Sequence, residues 1–347
     1  MRSLSPDRGE DMEVAGRDVV VVAASAGGVE PLRALLSELP PDLPAAVLVV
    51  LHVPPQGSSV LASILDRAGP LKAAPAEDRE AMRPGRVYVA RPDYHLLLNE
   101  GQVRLSRGPR HNGHRPAADP LFMSAALDAG ARTAAVVLSG TLDDGAKGCE
   151  AIDRHGGAVA VQDLSECAFP GMPGAAMTAV PAARALPVRE LAGWILKQSR
   201  TPVSTEVQVR DNEMEREIEQ FLRESPALGD PEGELIAFSC PECSGPIYEQ
   251  RSTTTSRYVC RVGHAWSRDS MMSAQSDAVE RALWVAIQRL EERLRVLERM
   301  RRSAEERGQH LSLRYFADEE ERTSEALNTI RMLQSRIGGN GDTLLTD

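Results

Sequence analysis

Three polar side chains that could act together, Ser25, His52 and one of the pair Asp143–Asp144, each stand at or just beyond the end of an apolar run. A serine hydroxyl attacks a carbonyl at neutral pH only when an imidazole takes its proton. The imidazole in turn needs a carboxylate to fix its tautomer and stabilise its cation. The order Ser, His, Asp along the chain is no obstacle, because such a triad is defined by geometry. A second cluster lies far downstream: Cys240-Pro241-Glu242-Cys243, then Cys260-Arg261-Val262-Gly263-His264 after sixteen intervening residues. Soft thiolates with one imidazole suit tetrahedral Zn²⁺, and four protein ligands leave no open position for chemistry. The expectation is a structural zinc held by Cys240, Cys243, Cys260 and His264. A redox Cys-x-x-Cys would need a βαβ setting that is missing here.

The elements that must position these groups are legible as apolar runs. Val19 to Ala24 is unbroken, the pattern of a strand buried on both faces, and it stops at Ser25-Ala26-Gly27-Gly28 before a helix. Ala45 to Leu51 is a second such run, delivering His52 ahead of Val53-Pro54-Pro55. Thr133 to Leu138 is a third, leading into Ser139-Gly140-Thr141-Leu142-Asp143-Asp144-Gly145. Open α/β sheets carry their sites at the carboxyl ends of strands, so neighbouring strands would bring all three groups to one rim. Gly85 to Ala90, Tyr94 to Leu98 and Gln102 to Leu105 read as short strands, the last two with hairpin spacing. Residues 106–120 read as a polar loop over the rim, where His114 could line the cleft. Ala158 to Gln162 reads as another buried strand, and Trp194 lies in a closing helix. His95, His111 and His155 read as surface or loop residues, and Cys149 and Cys167 as packing thiols. Neither G-x-G-x-x-G nor a Walker lysine is present, which argues against a phosphate-binding turn.

Five ordered motifs carry a family resemblance: Ala24-Ser25-Ala26-Gly27-Gly28; Leu51-His52-Val53-Pro54-Pro55; His114-Arg115-Pro116-Ala117-Ala118-Asp119-Pro120-Leu121-Phe122; Leu138-Ser139-Gly140 with Asp144-Gly145-Ala146; and Gly171-Met172-Pro173. Over about residues 17–190 the chain resembles the CheB-type catalytic domain of protein-glutamate methylesterases of bacterial chemotaxis. The resemblance implies a doubly wound, mainly parallel α/β sheet, with Ser25 as nucleophile, His52 as base and Asp144 as orienting acid. It selects Asp144 over Asp143 because the family's aspartate directly precedes Gly-Ala. It also implies hydrolysis of glutamate γ-methyl esters on a methylated chemoreceptor-like protein, deamidation of glutamine at such sites, and no catalytic cofactor. Two departures stand out. Thr141 occupies a place where the family often has methionine, and only about 17 polar residues precede the first strand, so the family's usual receiver domain is expected to be absent. The rival reading is a non-catalytic signalling adaptor that binds partners through the α/β unit and the tail.

Composition agrees. In 347 residues, 42% are hydrophobic, enough for a packed core, and the formal net charge of −10 argues against nucleic-acid binding. No apolar run approaches the roughly 18 residues of a membrane span, and no signal segment is visible, so a cytoplasmic protein without membrane insertion is expected. Five cysteines in that setting suggest thiols or metal ligands. The expected organisation is a disordered N-terminus (1–16), a catalytic domain (17–198) and an acidic linker (199–235) with a helix near Glu213–Leu222. A zinc-ribbon-like unit (236–268) and a helical hairpin or coiled coil (269–338) follow. Val279, Leu283, Ile287, Leu290, Leu294, Leu297 and Met300, then Ala326 or Leu327, Ile330, Leu333 and Ile337, supply apolar seams that would suit homo-oligomerisation.

Overall fold

The computed structural model describes residues 16–56, 60–203, 211–223, 230–251 and 256–338. The stretch expected to be a disordered N-terminus lies outside these residues, apart from Gly16. The chain divides into two compact units, residues 1–270 and 271–347.

The first unit opens with β1 (Val19–Ala24), α1 (Val29–Glu38), β2 (Ala46–Leu51), α2 (Leu61–Asp66), β3 (Lys72–Pro75), β4 (Glu80–Ala81) and β5 (Arg86–Val89). The hairpin β6 (His95–Asn99) and β7 (Gln102–Ser106) leads to α3 (Ala118–Ala129), β8 (Thr133–Val137), α4 (Ala146–Arg154) and β9 (Ala158–Gln162). Then come α5 (Gly171–Ala179), β10 (Arg184–Leu186) and α6 (Val188–Arg200). The main sheet has the order β10-β9-β8-β1-β2-β5-β3, with every pairing parallel. From β1 the chain winds outwards through β2, then returns to lay β8 on the other side, so β1 sits at the point where the strand order reverses.

Alternation within β1 explains its unbroken apolar run. Val19, Val21 and Ala23 face one core with α3, α4 and α5 residues, while Val20, Val22 and Ala24 face the other with α1 and α6. Two-sided burial leaves no position for a polar side chain until the strand ends. Burying each of the four valines contributes about 1.5–3 kcal/mol.

The connector contains α7 (Asn212–Arg223), whose Met214, Ile218 and Phe221 join the first of those cores. The expected acidic linker is therefore partly structural, because a helix with so strongly one-sided an apolar face gains by covering the sheet's helices. Beyond it, β11 (Glu234–Ser239), β12 (Pro246–Arg251), β13 (Ser256–Cys260) and β14 (Ala265–Trp266) form an antiparallel four-stranded ribbon. Contacts place this ribbon within the first unit, where an independent unit was expected.

The tail comprises α8 (Arg268–Glu306) and α9 (His310–Gly338). Arg293–Glu319 (2.5 Å), Arg301–Glu320 (3.1 Å) and Arg331–Glu291 (2.7 Å) pair the two helices antiparallel, with Ile287, Leu297 and Leu327 buried in the seam.

Candidate active site

Register alone brings the first two groups together. Ala24 pairs with Leu51 across β1–β2, and Ala23 with Val137 across β1–β8, so Ser25 emerges between His52 and Ser139 at one rim. The backbone confirms the alignment: His52 N–H donates to Ala24 O (3.2 Å) and Ser25 N–H to Ser139 O (2.9 Å). Gly27 takes φ +69°, and a Cβ there would lie 2.7 Å from Ala168 Cβ, so this turn requires glycine. Gly140 is required for space, since its Cβ would lie 3.0 Å from Ser25 Cβ and closer still to the Met172 side chain.

His52 bridges the other two groups. Its Nδ1 lies 3.0 Å from Ser25 Oγ and its Nε2 lies 2.7 Å from Asp144 Oδ2. The carboxylate can only accept, which assigns the proton to Nε2 and leaves Nδ1 to accept from the hydroxyl. The structure thus brings Ser25, His52 and Asp144 into one hydrogen-bonded chain. Asp143 takes a different direction, towards the hydroxyls of Ser267 (2.8 Å) and Ser270 (3.1 Å).

Asp144 is almost wholly buried at the N-terminus of α3. Its Oδ2 accepts the Ala118 N–H (2.6 Å) and its Oδ1 the Asp119 N–H (3.3 Å) and Asn112 Nδ2–H (3.4 Å). Burial alone would raise its pKa. The imidazoles of His111, 3.8 Å from Oδ1, and His52 outweigh burial and hold the carboxyl well below its usual range. The helix N-terminus acts in the same direction. Neighbouring Asp119 behaves oppositely: burial, then the charge of Asp144, push its pKa well up. Two carboxyls so close in a dry site cannot both ionise freely, and the one facing His52 keeps the charge.

His114 stacks flat on His52, ring centroids 3.8 Å apart at 9°. Burial and then His52 lower its pKa to about 4, so it is a neutral wall against the imidazole. Its place in the cleft matches the expectation, but the other histidines do not. His95, His111 and His155 are buried, not superficial. His95 Nε2–H donates to Pro109 O (2.9 Å) and His155 Nδ1–H to Ala151 O (2.8 Å). His111 lies between Asp119 (3.7 Å), Asp144 and, on its other edge, Glu217 (3.9 Å). His111 and His155 stand among polar residues with no sequence signal of burial, whereas His95 lies in the apolar run Tyr94 to Leu98 read as a strand, which did signal it. Sequence reasoning also missed Asn112, because Asn112-Gly113 reads simply as a turn. His111, Asp119 and Asp144 bring ligand-type atoms within 4.8 Å of one another. Hydrogen bonds already engage both carboxylates, Asp119 through Gly148 N–H at 2.7 Å.

On the same rim lies a cleft of about 370 Å³, lined by residues including Pro55, Ala90, Arg91, Tyr94 and Arg107. Elsewhere in the unit, the sulfur atoms of Cys240, Cys243 and Cys260 and a ring nitrogen of His264 lie within 4.8 Å of one another. Cys243 and Cys260 sulfurs are 3.6 Å apart, and His264 Nδ1 is 3.7 Å from Cys240 and 3.5 Å from Cys260. A tetrahedral zinc with Zn–S about 2.3 Å and Zn–N about 2.1 Å implies edges of about 3.8 and 3.6 Å, so the four residues fit the ion.

Comparison with known proteins places this arrangement. Residues 20–195 match the CheB methylesterase family. A protein-glutamate methylesterase/protein-glutamine glutaminase of Nocardioides sp. is 41% identical over 189 residues, 53% of this chain and 51% of the relative. One of the same description from Methanosarcina mazei is 37% identical over 189 residues, 52% of each chain. The chain thus spans about half the length of the curated relatives it matches. The crystal structure of the Thermotoga maritima CheB methylesterase catalytic domain aligns with TM-score 0.50 and 34% identity, covering 53% of this chain and 99% of that one. With its parallel sheet, its rim and its ordered motifs, the chain belongs to the CheB methylesterase family.

Proposed function

We propose that the chain is a serine esterase that hydrolyses glutamate γ-methyl esters on a methylated chemoreceptor-like protein. The observation that carries this reading is the single imidazole of His52 bonded to Ser25 on one side and to buried, ionised Asp144 on the other. Ser25 Oγ attacks the ester carbonyl while its proton passes to His52 Nδ1. Asp144 stabilises the imidazolium through Nε2–H. The tetrahedral oxyanion would face the backbone N–H groups of Ala26 and Gly27, which make no hydrogen bond among the described residues. Collapse returns the proton to the leaving methanol and leaves an acyl-Ser25. Water deprotonated by His52 then releases the glutamate side chain. A glutamine amide would follow the same steps with ammonia leaving, which agrees with the relatives' double description.

An adaptor role would not need a hydrogen-bonded Ser–His–Asp chain, and that geometry favours the enzyme. No cofactor is required by these steps. The zinc assigned to Cys240, Cys243, Cys260 and His264 would supply folding energy to the ribbon and no chemistry. No described helix is long and apolar enough to cross a membrane, which fits the proposed cytoplasmic location. Exposed Val279, Trp284, Val285, Leu333 and Ile337 support self-association through the tail, testable by sedimentation.

Methanol release from a methylated receptor tests the central claim. Wild-type chain should release methanol and Ser25→Ala should not; equal release by both would overturn the reading.

A further inference from the structure

We infer that the Cys₃His ribbon is a positioning device for the catalytic carboxylate, so that loading of its metal site sets esterase activity through Asn112. The inference rests on the triad reading above, but the ribbon and the segment after it lie outside residues 20–195, the region shared with the family.

His264 is followed directly by Ala265 and Trp266 of β14, a two-residue strand paired with β13 on one side only. Its other side is taken by the loop from Arg110 to His114. Ala265 N–H donates to Arg110 O (3.3 Å), and Asn112 N–H donates to Ala265 O (2.7 Å). The Trp266 ring covers Gly113, where a Cβ would approach it to 3.3 Å. Arg110 also reaches Glu242, between the first two cysteines, at 3.4 Å. The active-site loop is therefore bridged, His111 to Ala265, onto the free edge of the ribbon.

Asn112 turns that edge contact into an active-site contact. Its side-chain oxygen accepts the Ser267 N–H (2.9 Å), which orients the amide so that Nδ2–H points to Asp144 Oδ1 (3.4 Å). From the other direction, Ser267 and Ser270 hold Asp143, the residue before Asp144. Starting three residues beyond His264, one short segment thus grips both the loop bearing Asn112 and His114 and the turn bearing Asp144. Deeper in, Arg257 of β13 pairs with buried Glu217 of α7, which also holds Lys147 of α4 (2.8 Å), fixing the ribbon to the esterase.

The ribbon's own apolar core is small, with Ile247, Val259 and Ala265 among its few buried aliphatic residues. Each ligand turn has backbone hydrogen bonds of its own, Ser244 N–H to Cys240 O (2.8 Å) and Gly263 N–H to Cys260 O (2.8 Å), but a shared ion is what would tie their four side chains together. Removing that ion frees the β13–β14 turn, and with it the partner atoms of Asn112. Asp144 then loses one of its orienting donors, and His114 loses the backbone that stacks it on His52.

The test uses the full chain, with zinc content, amide exchange and labelling of Ser25 by a fluorophosphonate probe read together. Labelling of the zinc-loaded protein establishes the triad independently; its absence there would remove the triad reading itself. Chelation should then slow labelling by about tenfold or more, expose the Asn112 amide to exchange, and leave β1 amides protected, with reversal on adding zinc. Asn112→Gly keeps the left-handed backbone (φ +51°) and the bond to Ala265 but deletes the bridging amide. It should lower kcat about tenfold, leave KM within roughly twofold, and retain one zinc per chain. Unchanged labelling after verified zinc loss, or unchanged kcat in Asn112→Gly, would overturn the inference.

Discussion

Ser25 and Cys240 both stand at the end of a β-strand, yet opposite means hold them there. Ser25 ends a strand flanked by parallel neighbours and buried on both faces, where every side chain from Val19 to Ala24 is fully inaccessible. Cys240 follows β11, an edge strand with Leu235 and Phe238 exposed. The sheet is fixed by aliphatic burial, and its site needs no ion. On the proposed zinc site the ribbon would be fixed by its ligands, and structural zinc contributes apparent binding energies of about 10–16 kcal/mol in small peptides. The difference shows why one unit can contain two kinds of robustness: the proposed nucleophile and base come from the sheet, whereas the surroundings of the proposed acid are shared with the ribbon.

Changes on the sheet side of that comparison should have the largest effects. Ser25→Ala is expected to cut turnover by roughly 10⁶-fold, the scale of losing a triad nucleophile, with unfolding midpoint unchanged. Asp144→Asn should cost about 10⁴ in kcat, because the amide imposes the wrong imidazole tautomer. Asp143→Asn separates the neighbours: facing Ser267 and Ser270, it should cost no more than about tenfold. A larger loss for Asp143 than for Asp144 in parallel kinetics would exchange their roles.

The junction between the two regions should respond in stability before rate. Arg257→Met removes the ribbon's partner for buried Glu217, whose pKa is held low chiefly by Arg257 and then Lys147, against burial. A buried carboxylate losing such a partner costs about 3 kcal/mol. Urea unfolding should show that loss in the first unit, with the tail hairpin transition unmoved. An unshifted midpoint would mean that Lys147 alone suffices.

Much of the sheet side is legible in the sequence because its determinants are local. An apolar run ending in a hydroxyl or imidazole reports both the strand and its carboxyl end, as for Ser25 and His52. Asp144 needed the family motif, since Asp-Asp-Gly alone does not say which carboxylate turns inward. The ribbon's ligand spacing was equally plain, but its attachment was not. Asn112 and Ala265 lie 153 positions apart in sequence, and no periodicity links them. Likewise α7 was visible as a helix, while its burial of Phe221 against His95 and His111 depends on tertiary contact.

Those buried histidines give the smallest and most graded expectation, one that separates the first unit from the tail. Burial lowers His95 to about 3 and, with His52 adding, His114 to about 4, against an unfolded value near 6.5. A histidine whose folded pKa is depressed binds its proton first in the unfolded chain. Stability is therefore full above about pH 6.5 and declines as pH falls, through about 4 for His114 and about 3 for His95. His111, lowered in the same direction mainly by burial, adds to the slope. The tail helices contain one histidine, His310, and it is exposed. Acid titration of unfolding should thus destabilise the first unit between pH 6.5 and 4 while the tail's helical signal changes little. Replacing His95 by Gln, which keeps a donor for Pro109 O but cannot take up a proton, should flatten that slope. A first unit equally stable at pH 7 and pH 5 would show that these imidazoles are solvated in solution, and would weaken the picture of a dry, ribbon-supported carboxylate at the rim.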